Sequence, residues 1–357
     1  MAAINTVPTE VLFLTFKLLP PKSLRAVVLV CRRWREVGEH PSLWTFVTFM
    51  VNHRNLTRVP LMLGSRRFQA VRKLYLGELD EEVLEAVVRH PGLKELNMSF
   101  LQMSGSYQEG RVQIPAIKLE LLSKASASME VVNLSNMMVT SNENEAVFSK
   151  IFKPICEESK LKKLDVSNND LSSVEPGLMA KLVQNLEYID LITTGLTNQQ
   201  TDSIFRAINE TSKLKFLSIR NNNLSSVKPE ILAAAMAKLE EVDINGSDLT
   251  REQEQAIFAK LCNNCCKLRN LSFGFSNSLC SVHPDTIARA ANRLESFQLF
   301  GSATTQQTEE ILRQSLVKTK LQRLHIEFLV GKEVDQELLE QARKNIAVVD
   351  FEEQPYG

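Results

Sequence analysis

The sequence is short of the materials that several kinds of protein need. It has 13 glycines in 357 residues, and they form no phosphate-cradling loop. Lysine plus arginine and aspartate plus glutamate number 42 each, so the formal net charge is zero. That balance gives no electrostatic footprint for nucleic acid or an anionic membrane. No apolar run approaches the ~18 residues of a membrane-spanning helix. The apolar stretch at residues 11–14 is too short for a secretory signal and follows Glu10 instead of a basic segment. Six cysteines in such a length, with no signal peptide, imply reduced thiols in an intracellular setting, cytoplasmic or nuclear, and not a secreted chain. No nucleophile–base pair stands out. Ser172-Ser173 and Ser225-Ser226 recur at equivalent points of a repeat, which makes them structural. The expectation is a protein with no catalytic residue and no cofactor.

What is present from residue 71 onward is a repeat: leucine, two variable residues, an apolar residue, one variable, an apolar residue. It reads Val71, Leu74, Leu76; Leu93, Leu96, Met98; Met129, Val132, Leu134; and Leu161, Leu164, Val166. It continues from Leu186, Leu214, Leu239, Leu268, Leu294 and Leu321, and closes on Ile346, Val349 and Phe351. From Leu161 the steps are 25, 28, 25, 29, 26, 27 and 25 residues, the period and signature of leucine-rich repeats. Each signature predicts a short strand with its apolar side inward. A helical segment follows, as at Gln200–Ile208 or Pro229–Met236. Such a unit cannot bury its own edge and must stack on neighbours. Asn169 and Asn222 stand at the turn after the strand, where an amide side chain can satisfy backbone groups; Thr194, Ser247, Ser276 and Ser302 replace it elsewhere. Near copies at 168–182 and 222–236 alternate with a second pair at 195–205 and 248–258, giving the long–short rhythm of a curved horseshoe. The 36-residue step from Leu93 to Met129 points to an insertion loop at 104–113.

Two constellations resemble chemistry. Cys262-x2-Cys265 with Cys280-x2-His283 has a zinc-like spacing. The repeat register separates them, with the first pair at a helix end and the second after the next strand, so no metal is expected. Asp165, Asp190 and Asp243 occupy one strand position in three repeats and read as a solvated acidic strip. The better candidate site is the strand face, where Tyr188, Phe216, Phe275, Phe300 and Phe328 fall at outward positions. Repeated large aromatics at exposed positions suggest a target-binding patch. Lys163, Arg220 and Arg323 are scattered among acids there, so no phosphate pocket is evident.

Residues 5–44 form a different unit. Pro8 suits a first helical position. Val11, Leu12, Phe16 and Leu19 recur at helical spacing until Pro20-Pro21 stops the helix. A second helix is expected from about Ser23, its N-cap, with Leu24, Val27, Val28, Val30, Cys31 and Trp34 round it. Two such helices carry more apolar surface than so small a unit can bury, which implies a partner surface. The order Val7-Pro8, Glu10-Val11-Leu12, Phe16, Leu19-Pro20, Leu24, Val30-Cys31-Arg32-Arg33-Trp34 and Ser42-Leu43-Trp44 resembles the F-box. Val7 replaces the usual Leu, and Thr9 stands where a small, proline or acidic residue is common.

An F-box followed by leucine-rich repeats resembles the substrate receptors of Skp–cullin–F-box ubiquitin ligases. The resemblance implies an α/β leucine-rich-repeat solenoid with a small all-helical N-terminal F-box. The domains would be an F-box at 1–48, a connecting segment or atypical first repeat at 49–70, repeats with about eleven strands at 71–351, and a tail at 352–357. It further implies that the F-box docks on a Skp-type adaptor, and through it on cullin, while the repeats hold a target protein for ubiquitination. By motif position the adaptor contacts would be Pro8, Leu12, Phe16, Leu19, Leu24, Val28, Val30, Cys31 and Trp34. The alternative is a non-catalytic repeat scaffold or inhibitor, uncoupled from ubiquitination, whose N-terminal helices are a simple cap.

Overall fold

A computed structural model describes residues 7–45, 48–52, 54–99, 116–137, 141–157, 159–263, 265–274, 279–301, 303–317, 319–329 and 334–354. The chain divides into two compact units, Met1–Met137 with Glu157–Leu161, and Met138–Cys156 with Lys162–Gly357.

The first unit opens with three helices, α1 (Thr9–Lys17), α2 (Pro21–Val27) and α3 (Arg32–Gly38). Pro8 is the N-cap of α1, so the helix begins one residue later than expected, and Pro20 caps α2 in place of Ser23. The expected second helix is two. Cys31 is extended (φ −159°), and its thiol caps α3 by accepting from the Trp34 amide at 3.5 Å. The run Val27-Val28-Leu29-Val30, rich in β-branched side chains that crowd a helix, ends α2 just before it. Leu12, Phe16, Leu24, Val27, Val28, Val37, Leu43 and Trp44 are buried together as the core of this part. Gly38 is needed for that packing, because a Cβ there would lie 2.8 Å from the Val28 side chain. Trp44 closes it, its indole donating to the Gly38 carbonyl at 2.8 Å.

The repeats of this unit are β1 (Thr48–Val51), α4 (Val59–Gly64), β2 (Lys73–Leu76), α5 (Glu81–Arg89), β3 (Glu95–Asn97), α6 (Ala116–Ser128) and β4 (Val131–Asn133). The four strands are parallel and in register, with Thr48, Lys73, Glu95 and Val131 side by side. Strand β1 lies within 49–70 and its flank, ahead of the first leucine signature. The F-box-like helices meet the start of the array directly: Arg67 pairs with Glu39 at 2.6 Å and lies 5.1 Å over the Trp44 ring, which packs edge-on to Phe68. Buried His90 ties the same region, with Nε2 2.9 Å from the Phe68 carbonyl and Nδ1 3.1 Å from the amides of Gly92 and Leu93. Gly92 is sterically required, since a Cβ would sit 2.2 Å from the Gln69 carbonyl oxygen.

The second unit contains α7 (Ser141–Glu157), β5 (Lys163–Asp165), α8 (Pro176–Asn185), β6 (Tyr188–Asp190), α9 (Asn198–Ala207), β7 (Phe216–Ser218), α10 (Pro229–Met236) and β8 (Glu241–Asp243). It continues with α11 (Arg251–Leu261), β9 (Asn270–Gly274), α12 (Pro284–Ala291), β10 (Ser296–Phe300), α13 (Thr305–Ser315), β11 (Arg323–Leu329), α14 (Gln336–Asn345) and β12 (Val348–Gln354). Strands β5 to β12 are parallel neighbours in chain order. In β5 to β11 the signature's apolar residues are buried and the residues between them lie on the opposite face of the strand. The last strand runs to Gln354, three residues beyond the final signature position.

Two polar devices join successive repeats. Asn222 donates to the Leu191, Ile219 and Arg220 carbonyls and accepts from the Leu196 amide, bridging two turns as an asparagine ladder should. Asn169 donates to the Val166 and Ser167 carbonyls, Thr194 donates to the Leu191 carbonyl and reaches the Asn222 side-chain oxygen, and Ser247 donates to the Ile219 carbonyl. Ser276, Ser302 and the insertion loop at 104–113 lie outside the described residues. The second device is a buried glutamine. Gln200, Gln253 and Gln307 form capping boxes with Thr197, Thr250 and Thr304 at the starts of α9, α11 and α13. Their amide nitrogens also reach into the preceding repeat, to carbonyls of Leu171 and Val174, Leu224 and Val227, and Leu279 and Val282, at 2.5–2.8 Å.

Candidate protein-interaction surfaces

The F-box-like helices separate their apolar residues into two sets. Leu12, Phe16, Leu24 and Val28, four of the nine expected adaptor contacts, are buried among themselves and present nothing to a partner. Periodicity marked them as apolar, and the third helix supplies the cover that two helices lack. Trp34 is half-buried, edge-on to Phe16 at 5.3 Å, and its indole N–H has no partner among the described residues. Pro8, Val30 and Cys31 are exposed, and Leu19 is half-buried. A second apolar set points outward: Val11, Leu14 and Leu18 on or just after α1, and Leu29 and Val30 in the turn between α2 and α3. Leu18 and Leu29 are 86% and 76% exposed, far beyond what a helical cap needs. Sequence periodicity could not separate the sets, because both are leucine and valine at helical spacing.

On the strand face of the second unit, Tyr188 and Phe216 come together. Their rings stack at 4.0 Å, 3° from parallel, and Lys163 Nζ lies 5.8 Å over Tyr188. Burial, with the charges of Asp190, Asp165 and Glu241, pushes the Tyr188 hydroxyl up to about 12. Phe300 stands apart on β10, half-buried and 5.2 Å from the His325 ring. Gly274 lets it lie there, since a Cβ would meet the Phe300 carbonyl at 2.3 Å. Phe275 and the side chain of Phe328 lie outside the described residues. Three strand spacings of ~4.8 Å separate β7 from β10, so the described aromatics form two sites and not one patch.

The acidic strip has a structural job. Asp165, Asp190 and Asp243 each accept a backbone N–H two residues on, from Ser167, Ile192 and Asn245, all at 3.0 Å. Asn97 and Asn133 do the same in the first unit. The strip is not simply solvated. Burial, then Asp165 and Asp243, raises Asp190 to about 6 against the pull of the Ile192 amide. The zinc-like residues are likewise engaged: Cys262 donates to the Thr286 carbonyl at 3.5 Å, and His283 accepts from the Asp285 amide as the N-cap of α12. Burial raises the Cys262 thiol. Among the described residues no group of three potential metal ligands exists, and no helix is long and apolar enough to cross a membrane.

The F-box-like family model matches residues 4–50, and the Leucine Rich Repeat model matches residues 160–182 and 213–234. The chain carries an F-box-like domain and leucine-rich repeats. As such it is a protein-interaction adaptor built from modules that are typically non-catalytic; F-box domains typically bind Skp-type adaptors and leucine-rich repeats bind protein targets. The leucine-rich repeat-containing protein LegL7 of Legionella pneumophila is similar in structure, with 18% identity over 84% of this chain and 98% of that one and a TM-score of 0.45. No curated protein matches the chain.

Proposed function

We propose that this F-box and leucine-rich-repeat protein is the substrate-recognition subunit of a Skp–cullin–F-box ubiquitin ligase. The single observation that carries the reading is the outward apolar set of Val11, Leu14, Leu18, Leu29 and Val30 on helices whose own core is already filled. Burying each such side chain is worth roughly 1.5–3 kcal/mol, so a few of them sustain a stable contact with the adaptor. Pro8, Leu19, Cys31 and Trp34 adjoin it in sequence and complete the proposed adaptor face; Leu12, Phe16, Leu24 and Val28 support it from beneath. The repeats then hold the target, with Tyr188 and Phe216 as its first anchors and Phe300 as a separate one. Tethering raises the effective concentration of target lysines at the conjugating enzyme, and no residue of this chain does the chemistry.

The test is co-expression with a Skp-type adaptor and cullin, followed by size exclusion. Stoichiometric co-elution, lost in a Leu14→Asp/Leu29→Asp double variant that still folds, is the expected result. A monodisperse protein that ignores the adaptor overturns the reading in favour of a repeat scaffold.

A further inference from the structure

Across the strand face of the second unit Lys163, Tyr188, Phe216 and Glu241 stand in register on β5 to β8. In this row one face of the aromatic stack is already used by a cation: Lys163 lies over Tyr188, whose other face is covered by Phe216. Among the described residues the outward face of Phe216 carries no cation. It borders a depression of about 490 Å³ that runs across β8, β9 and β10 and ends at Arg323 on β11.

The wall nearest Phe216 is acidic. Glu241 accepts from the Asn270 side chain at 3.2 Å and Asp243 from the Asn245 amide at 3.0 Å, yet neither has an ion-pair partner among the described residues. Glu295, at the rim, is paired with Arg269 at 3.4 Å. An independent sign comes from Ser218. It lies on the same face of β7, in register between Asp190 and Asp243, is 1% exposed, and its hydroxyl has no hydrogen-bond partner among the described residues. A buried polar atom left unpaired is uncommon and calls for an explanation. Here it lies in register between Asp190 and Asp243, which have no ion-pair partner among the described residues.

We infer that this depression receives an arginine side chain of the target, its guanidinium lying on the free face of Phe216 and pairing with Glu241 and Asp243. The inference rests on the reading that the strand face holds the target. A guanidinium suits the place better than an ammonium, because it is planar, stacks on an aromatic face and still offers in-plane donors to two carboxylates. Its remaining N–H groups point toward the row that holds the Ser218 hydroxyl. Arg323 lies four strands from Phe216, roughly 19 Å at ~4.8 Å per strand, so it does not compete for the acidic wall. It does set a polarity, favouring a target whose chain becomes neutral or acidic beyond the arginine.

The test uses the full chain and three fluorescein-labelled probes, tetra-arginine, tetra-lysine and tetra-citrulline, the last being near-isosteric with arginine and uncharged. Fluorescence anisotropy should show tetra-arginine binding, tetra-lysine weaker, and tetra-citrulline weaker by at least about tenfold. Phe216→Leu and Asp243→Asn should each weaken tetra-arginine by about tenfold with the melting temperature kept; asparagine retains the turn contact, as at Asn97 and Asn133. Equal binding of arginine and citrulline probes, no binding of tetra-arginine, or unchanged affinity in both variants overturns the inference. Co-precipitation of cellular proteins with wild type and Phe216→Leu separates the two possible failures. If the captured set shrinks while tetra-arginine is indifferent to the substitution, the face binds targets by other chemistry. If neither changes, the target-binding reading of this face falls as well.

Discussion

Tyr188 lies flat on Phe216, ring over ring at 4.0 Å, and half-buried Asp190 stands at the other end of the same strand, β6. A carboxylate in that position, with Asp165 on the adjacent strand β5 and Asp243 two strands away on β8, holds its proton more tightly in the folded state. The contribution to stability is therefore complete below the ordinary carboxylate value of 3.8 and is lost as pH rises through about 6. Asp190→Asn keeps an acceptor for the Ile192 amide and removes the buried charge. Denaturation midpoints at pH 4, 5 and 7 should fall less with rising pH in the variant than in wild type. Parallel curves would show that Asp190 titrates as an exposed acid.

His90 has the opposite sign. Its Nδ1 accepts from two amides, which requires the neutral ring, and burial lowers its pKa below 6.5. Stability from this group is full above 6.5 and is lost as pH falls below it. Hydrogen exchange at Gly92 and Leu93, corrected for intrinsic rates, should accelerate between pH 7 and pH 5. Unaltered protection would mean that the ring stays neutral at pH 5.

Gln253 is buried and bonds the Leu224 and Val227 carbonyls at 2.7 and 2.6 Å, while its oxygen accepts from the Thr250 amide. Gln253→Ala leaves these groups unpaired, at a cost of roughly 1–3 kcal/mol each where water cannot enter. Urea unfolding should show a loss of at least about 2 kcal/mol. Gln253→Glu should be worse, because a carboxylate then faces two carbonyl oxygens. A loss below about 0.5 kcal/mol, the scale of ordinary surface substitutions, would show that water replaces the amide.

Thr193 is held at φ +52°, a left-handed conformation that a β-branched residue disfavours, where neighbouring repeats place Asn168, Asn221 and Gly246. Thr193→Gly should raise stability by about 1 kcal/mol, read as a higher urea midpoint. An unchanged or lower midpoint would mean that its contact with the Asn221 side chain outweighs the strain.

The two apolar sets of the F-box should respond differently. Leu12→Ala opens a hole in the core of the three helices and should cost roughly 2–5 kcal/mol. Leu29→Asp, at an exposed position, should change stability by less than about 0.5 kcal/mol yet abolish adaptor co-elution. The reverse pattern would place the adaptor on the other face.

Much of the fold was legible because the leucine signature reports burial directly. Each signature position from Val71 to Ile346 sits where alternation places it, inside. Strand β1 was not legible, because Thr48–Val51 pairs with β2 without a leading leucine. In the F-box, Leu12 and Leu14 have the same chemistry, and only the presence of a third helix decides which of them faces inward. Tyr188 and Phe216 could be found from their strand position. Ser218 could not, since one small polar residue among serines carries no signal until its neighbours are known to be carboxylates.

The buried glutamines recur on α9, α11 and α13 but not on α8, α10 or α12. Each grips the repeat before it and leaves the one after it ungripped, and α8 packs closely on α9, α10 on α11 and α12 on α13. The natural module of this array is therefore a doublet of about 53 residues, two steps of the leucine signature. Lengthening or shortening by one repeat would strand a glutamine amide against the wrong turn, whereas adding or removing a doublet keeps every grip. Changes in the length of such an array should come in even numbers of repeats.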